Sequence, residues 1–241
     1  MSNKLLTVFN GATAAFTPAS ISGLKLWVKA DTGLYKDAAK TQPATTNGDA
    51  IYTWADQSGN GYDFTQSTLA NRPTLATSAQ NGLSAVAFDG TNSAMVTASF
   101  TALSQPNTVF IVAPVGRSQD YLFDGLASSG RTAAADQLLT VGKMSAYAGA
   151  ALEYTRTPTS ALKVWAFVFN GVSSKIYENG TQVASGNANA NTISGFTLGA
   201  RYALNIHGYG NFCEFIVFNA NLSAEDFSKV ITYLNSKWAV Y

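Results

Sequence analysis

One cysteine, Cys213, and one histidine, His207, are all that the chain has of two residue types that most often bind metals or attack substrates. A lone cysteine excludes an internal disulfide and any zinc site built from several thiolates. A lone histidine excludes a multi-histidine metal centre. Charge is scarce as well. Asp, Glu, Lys and Arg make up 12% of the 241 residues, about half the usual share. The 15 basic and 14 acidic residues leave a net charge of +1 with no block of either sign. The electrostatic footprint of a nucleic-acid or acidic-membrane partner is therefore missing. No apolar run approaches the ~20 residues of a membrane helix. The opening stretch MSNKLLTVFNGATAAFTP lacks the sustained apolar run of a secretory leader, so synthesis in a cytoplasm is expected. G-x-S-x-G elbows, P-loops and Rossmann glycine fingerprints do not occur.

In place of charge the chain carries Ser, Thr, Asn, Gln and 20 glycines, beside 46% hydrophobic residues. Its length is ordinary for a single β-sandwich and allows a substantial core. Asn-Gly occurs six times, at 10-11, 47-48, 60-61, 81-82, 170-171 and 179-180. Both residues tolerate the positive φ that type I′ hairpin turns require. Short β-branched and aromatic runs lie between these markers: Leu24–Ala30, Ile51–Trp54, Ala85–Phe88, Thr108–Val112, Tyr121–Phe123, Val164–Phe169 and Phe212–Phe218. Many short strands with frequent turns predict an all-β, two-sheet antiparallel jelly-roll sandwich. Lys163–Gly186 reads as a three-stranded meander turning at Asn170-Gly171 and Asn179-Gly180. Cys213, inside NFCEFIVF, reads as a packed thiol in one strand. His207, in the loop RYALNIHGYGN, reads as exposed and polar.

One helix is signalled, by LSAEDFSKVITYLNSKW near the C-terminus. Ser223 suits the N-cap, Glu225 and Asp226 suit the first turn, and Lys237 suits the last. Phe227, Val230, Ile231, Leu234 and Trp238 form one apolar stripe for the sandwich. Residues 1–17 stand apart as an N-terminal arm, with the domain proper at 18–241. The arm's apolar residues, Leu5, Leu6, Val8, Phe9 and Phe16, suit attachment to a neighbour.

Seven motifs in order carry a resemblance: ISGLKLWVKADTGLY (21–35), WADQSGNGYDF (54–64), RPTL (72–75), NGLSAVAFDG (81–90), the hairpin at 177–180, FTLGAR (196–201), and FCEFIVFNANLSAEDFSKVITYLNSKW (212–238). Together they resemble the concanavalin A-like, laminin-G-like jelly-roll domains, and are most similar to the bacterial and bacteriophage branch. The resemblance implies two antiparallel sheets, with sugar or calcium sites at the rim of the concave one in many members. It also implies a virion component, such as a capsid decoration protein or a projecting appendage, for a phage member without a leader.

The stretch WADQSGNGYDF is the best candidate for bound ions. Asp56, Ser58 and Asn60 fall at positions 1, 3 and 5 of an EF-hand-like loop with Gly61 at position 6, and Asp63 offers one more oxygen. Ser67 stands where the bidentate acid belongs, so the pattern breaks. A polar corner between strands is the expectation, and no cofactor is expected, calcium being the one the loop would admit. The acid cluster Glu-x-Asp-x-x-Glu of concanavalin-like glucanases is missing, since the four glutamates (Glu153, Glu178, Glu214, Glu225) stand apart.

These observations lead to three expectations in order. The first is a non-catalytic bacteriophage virion protein, not an enzyme. It would decorate a capsid or project from it, assemble as a homo-oligomer (a trimer by analogy), and be held to other virion proteins by its arm. The second is a carbohydrate-binding module for receptor binding or adhesion, with Tyr62, Tyr147, Tyr154, Tyr202 and Tyr209 as candidate stacking rings for a glycan. The third is a glycan hydrolase, which would need two of Asp56, Asp63, Asp120 and Asp124 facing each other across an open cleft.

Overall fold

The computed structural model describes residues 16–117, 119–136, 142–156 and 159–241. Two large antiparallel sheets form the body. One has six strands in the order Leu24–Lys29, Glu214–Phe218, Asn107–Val115, Thr159–Phe169, Ser174–Glu178 and Thr181–Gly186. The other has nine, in the order Ala151–Thr155, Lys143–Tyr147, Ala133–Asp136, Tyr121–Asp124, Thr197–Leu198, Met95–Thr97, Phe64–Thr65, Thr53–Trp54 and Leu34–Tyr35. A smaller sheet of Tyr209–Phe212, Leu83–Asp89 and Thr74–Gln80 stands beside them. The β-sandwich expected from turn spacing is what the chain forms.

Phenylalanine fills the space between the two large sheets. The Phe123 ring of the nine-stranded sheet meets Phe215 and Phe167 of the six-stranded sheet edge-on, at centroid distances of 5.4 and 5.8 Å. Phe196 and Phe64 close on Phe215 from either side, at 5.1 and 5.8 Å. Each such ring, fully buried, is worth about 1.5–3 kcal/mol relative to exposure, and edge-to-face geometry adds to that.

Two of the described Asn-Gly pairs make the hairpins that their composition predicts. Asn81 and Gly82 have φ of 48° and 72°, Asn179 and Gly180 have 49° and 78°, and each pair joins facing strands directly. The Asn170-Gly171 corner is instead a short 3-10 turn, Gly171–Ser173.

Phe212–Phe218, expected as one strand, is two. Tyr209–Phe212 belongs to the small sheet and Glu214–Phe218 to the six-stranded one. Cys213 is the hand-over: its N–H donates to Val112 O at 2.9 Å and its carbonyl accepts from Ala30 N at 2.8 Å. The thiol is fully buried, as expected, and burial pushes its pKa up.

The helix Ala224–Trp238 lies on the outer face of the six-stranded sheet. Ser223 caps it, its Oγ accepting from Asp226 N at 3.1 Å. Val230, Ile231, Leu234 and Trp238 are buried, and Phe227 packs on Phe110 at 5.1 Å. The helix explains why Leu24–Lys29 departs from simple alternation. Trp27, on the face that would otherwise meet water, is covered by Tyr233 at 6.4 Å. Layers therefore run helix, six-stranded sheet, phenylalanine core, nine-stranded sheet. The far face of the last sheet has no such cover from the helix.

Candidate functional site on the open face of the nine-stranded sheet

The strand Tyr121–Asp124 is bulged. Phe123 pairs with Ala134 and Tyr121 with Ala135, so the register slips by one between them. A bulge of this kind re-aims side chains. Leu122 and Phe123 both enter the core, while Tyr121 and Asp124, buried as well, turn together to the other side of the sheet, where Arg131 covers them.

There they meet Arg131, which comes from the connection leading into Ala133–Asp136. Asp124 is fully buried and holds the guanidinium by two bonds, Nε to Oδ1 at 2.8 Å and Nη2 to Oδ2 at 2.8 Å. Paired contacts of this fork geometry are the strong ones. Arg131 Nη2 also donates to the Tyr121 hydroxyl at 3.2 Å, whereas its Nη1 makes no hydrogen bond among the described residues. Gly125 N and Tyr202 N donate to the two carboxylate oxygens of Asp124, at 2.8 and 3.1 Å.

Tyrosines surround the guanidinium. Its Cζ lies 5.2 Å from the ring centroids of both Tyr147 and Tyr202, and 5.9 Å from that of Tyr121. These are cation–π distances. Tyr202 also carries the Arg201 guanidinium, at 5.0 Å. Tyr147, Tyr202, Arg131 and Arg201 are half-buried. The strand Lys143–Tyr147 sends Met144 and Ala146 into the core, so alternation puts Ser145 and Tyr147 on the open side. Glu153 faces Ser145 across the ladder, and Lys143 Nζ lies 3.4 Å from Glu153 Oε2.

Two buried polar atoms here, Ser145 Oγ and Arg201 Nε, have no hydrogen-bond partner among the described residues. The electrostatics favour a fixed cation. Burial works against the charge of Arg131, but the hydrogen bonds and charge of Asp124 outweigh it and raise its pKa. Burial pushes the Tyr121 phenol up, against the pull of Arg131 and Arg201, so it stays protonated.

Of the five tyrosines read from the sequence as stacking rings, the structure brings two, Tyr147 and Tyr202, to this cluster. Tyr62 stacks on Phe100 at 4.4 Å and Tyr154 packs against the core. Tyr209 is 47% exposed but lies apart, with Arg117 over its ring at 4.6 Å. Tyr147 and Tyr154 belong to strands rather than turns. Sequence reasoning missed Tyr121, Arg131 and Arg201. The signal available was a bare run of alanines, Ala133, Ala134 and Ala135, which leaves room beside the sheet for an arginine.

The loop 54–64 is a pinned corner. Asp56 Oδ1 accepts from Trp27 N and Ser58 N, both at 2.9 Å, and Oδ2 accepts from Ser58 Oγ at 2.7 Å and Tyr62 N at 3.1 Å. Asp63 Oδ1 accepts from Asp56 N and its Oδ2 pairs with Lys40, both at 2.8 Å. Asn60 Nδ2 donates to Lys25 O at 3.0 Å. A cation bound there would have to displace these donors. Asp120, the remaining candidate acid, accepts from Gly116 N and Arg117 N at 3.0 and 2.7 Å, and burial raises its pKa. Asp56 and Asp63 thus share one corner, joined through Asp56 N, while Asp120 and Asp124 are each held elsewhere by their own partners. His207 is not freely exposed: its ring nitrogens lie 3.2 Å from Ser93 O and 3.1 Å from Leu204 O. Of the arm, Leu5, Leu6, Val8 and Phe9 lie outside the described residues; Phe16 rests edge-on against Tyr233 at 6.1 Å.

No protein-family model matches the chain, and no curated protein matches it. Solved structures do. Domain 4 of AbnA, a GH43 extracellular arabinanase from Geobacillus stearothermophilus, solved in complex with arabinotriose, superposes with a TM-score of 0.60 at 16% identity, over 86% of this chain and 98% of that one. Trypanosoma rangeli sialidase gives 0.56 at 12% identity, over 90% of this chain but 33% of that one. An arabinofuranosidase complexed with arabinofuranosyl-alpha-1,2-xylobiose gives 0.61 at 14%, over 78% of this chain and 51% of that one. What they share with this chain is the fold. It is a jelly-roll-like β-sandwich that occurs in glycan-processing proteins. This chain thus spans a third of the sialidase, half of the arabinofuranosidase and nearly all of the arabinanase domain. The neighbours overturn the first functional expectation. They are glycan-processing enzymes or parts of them, which counts against a non-catalytic virion protein. The expectation that the chain is not an enzyme falls with it.

Proposed function

We propose that the protein binds carbohydrate through the Arg131 cluster. The observation that carries this reading is the likeness, over almost the whole of both chains, to a domain solved with arabinotriose. The chemistry of the cluster supports it. A sugar alternates C–H faces with hydroxyl edges, and needs a flat, electron-rich surface beside fixed donors and acceptors. Tyr147 and Tyr202 offer ring surface whose negative faces suit polarised C–H groups. Arg131, locked by Asp124, keeps its Nη1 free to donate to a ring or hydroxyl oxygen without reorganising.

The test is a titration of the protein with arabinotriose and a panel of neutral and acidic oligosaccharides, by calorimetry. Saturable binding that weakens tenfold or more in Tyr147→Ala, with only a small change in melting temperature, is expected. Binding indifferent to Tyr147 and Tyr202 would reject this site.

Hydrolysis is the second reading, favoured by the enzymes among the neighbours. Its acid would come from Glu153, on the edge strand beside the cluster, because Asp124 is fully buried and committed to Arg131. Release of reducing ends from a bound oligosaccharide, abolished in Glu153→Gln with binding retained, would establish it.

A further inference from the structure

We propose that the glycan bound at the Arg131 cluster is acidic, and that Arg201 is the residue that reads its carboxylate; this rests on the carbohydrate-binding reading above. The balance of charge around the cluster leads there. Arg131 is neutralised by Asp124, whose oxygens lie 2.8 Å from its Nε and Nη2. Lys143 is faced by Glu153 at 3.4 Å. Arg201 is left over. It has no ion pair among the described residues, and its buried Nε has no hydrogen-bond partner.

A buried N–H of a charged group left unmade is expensive, and the rest of the Arg201 guanidinium makes no hydrogen bond among the described residues either, which leaves its outer nitrogens to a ligand. The Arg201 guanidinium is not remote from the cluster. It lies 5.0 Å from the Tyr202 ring, which in turn lies 5.2 Å from Arg131 Cζ. Tyr202 is thus shared by two guanidinium groups, of which only Arg131 has a carboxylate. A planar guanidinium matches a carboxylate with two parallel bonds, and a half-exposed one still answers to salt. A sugar acid would stack one ring face on the tyrosines and put its carboxylate on Arg201. A neutral sugar would leave that charge unanswered.

Oligogalacturonates and oligomannuronates are titrated against the wild-type protein, beside neutral galacto- and manno-oligosaccharides of equal length, at low and high salt. At least one acidic series is expected to bind ten times tighter than its neutral counterpart, with the advantage shrinking as salt rises. Arg201→Gln should erase that advantage, and Arg201→Lys should keep part of it through charge alone. If Arg201→Gln fails to fold, as judged by its melting curve, the Lys variant and the salt dependence still decide. Equal affinity for both members of both pairs, or an acid preference that survives Arg201→Gln, overturns the inference. Neutral binding that depends on Tyr147 would leave the carbohydrate reading intact while removing the acid preference. No binding of any sugar would remove both.

Discussion

Two buried carboxylates, Glu214 and Asp124, sit in opposite sheets among aromatic rings and a basic partner, and they have been finished differently. Glu214 lies under the helix. Its Oε1 accepts from Trp27 Nε1 at 2.6 Å and the Tyr233 hydroxyl at 2.9 Å, and its Oε2 accepts from Trp238 Nε1 at 2.8 Å and Lys237 Nζ at 2.9 Å. Four donors meet four acceptor positions and the group is sealed; burial and the Glu214 charge together push the Tyr233 phenol up. Asp124 is equally buried, and its arginine is no more exposed than Lys237 (11% against 14% of the side chain), but one nitrogen of that arginine is unused and atoms beside it make no hydrogen bond among the described residues. A closed polar knot fastens a helix to a sheet. An open one, rigid beneath and unfinished above, is how a binding surface is made.

The largest effect should come from breaking the closed knot. Glu214→Ala strands two indole N–H groups, a phenol and an ammonium, and removing one partner of a buried ion pair costs about 3–5 kcal/mol. Urea denaturation should show that loss, while the folded fraction still binds glycan. A loss below ~1 kcal/mol would mean that the knot is no fastener and erase the contrast.

Next comes the open cluster. Tyr147→Ala should cost at least tenfold in glycan affinity, or about 1.4 kcal/mol, with a smaller change in stability because that ring is only half-buried. A stability loss matching that of Glu214→Ala would make both clusters structural.

A third carboxylate, Asp89, sharpens the comparison because it is satisfied like Glu214 but open to solvent. Burial works against its charge, but bonds from Thr91 N, Ser93 N, Ser93 Oγ and Asn92 N outweigh that and lower its pKa from 3.8 to about 2. A depressed carboxyl stabilises the fold above its unfolded value and loses that contribution as pH falls from 3.8 through about 2. After discounting for solvent screening the contribution is about 1 kcal/mol. Urea midpoints measured from pH 5 to pH 2 should fall, and Asp89→Asn should flatten that part of the curve. The smallest effect is expected at Ser223→Ala, which removes the helix cap and should cost about 0.5–1 kcal/mol; the helix stays docked because Glu214 and the apolar stripe hold it.

How legible all this was differs by element. The hairpins at Asn81-Gly82 and Asn179-Gly180 and the capped helix were readable because their causes are local: two residues that accept positive φ, one hydroxyl that satisfies a free N–H, one apolar stripe. The strands Lys143–Tyr147 and Ala151–Thr155 were not, because KMSAY and ALEYT carry little β-branching and draw their regularity from their neighbours. The corner at Asp56 was foreseen as a pinned turn, but its grip on Trp27 N, 29 residues away, was not. The split at Cys213 was hidden in an unbroken apolar run, since periodicity does not say which sheet a strand joins.

By itself the sequence determined that the chain folds into antiparallel β-structure with one amphipathic helix, and that a single cysteine cannot build a multi-cysteine metal site. Those conclusions follow from composition and from spacings of a few residues. Only the tertiary structure decided that Tyr121, Asp124, Arg131, Tyr147 and Tyr202 share one surface. They come from separate strands and loops, and a bulge, a run of small alanines and one buried ion pair bring them together. Long-range contacts of that kind leave no periodic trace along the chain.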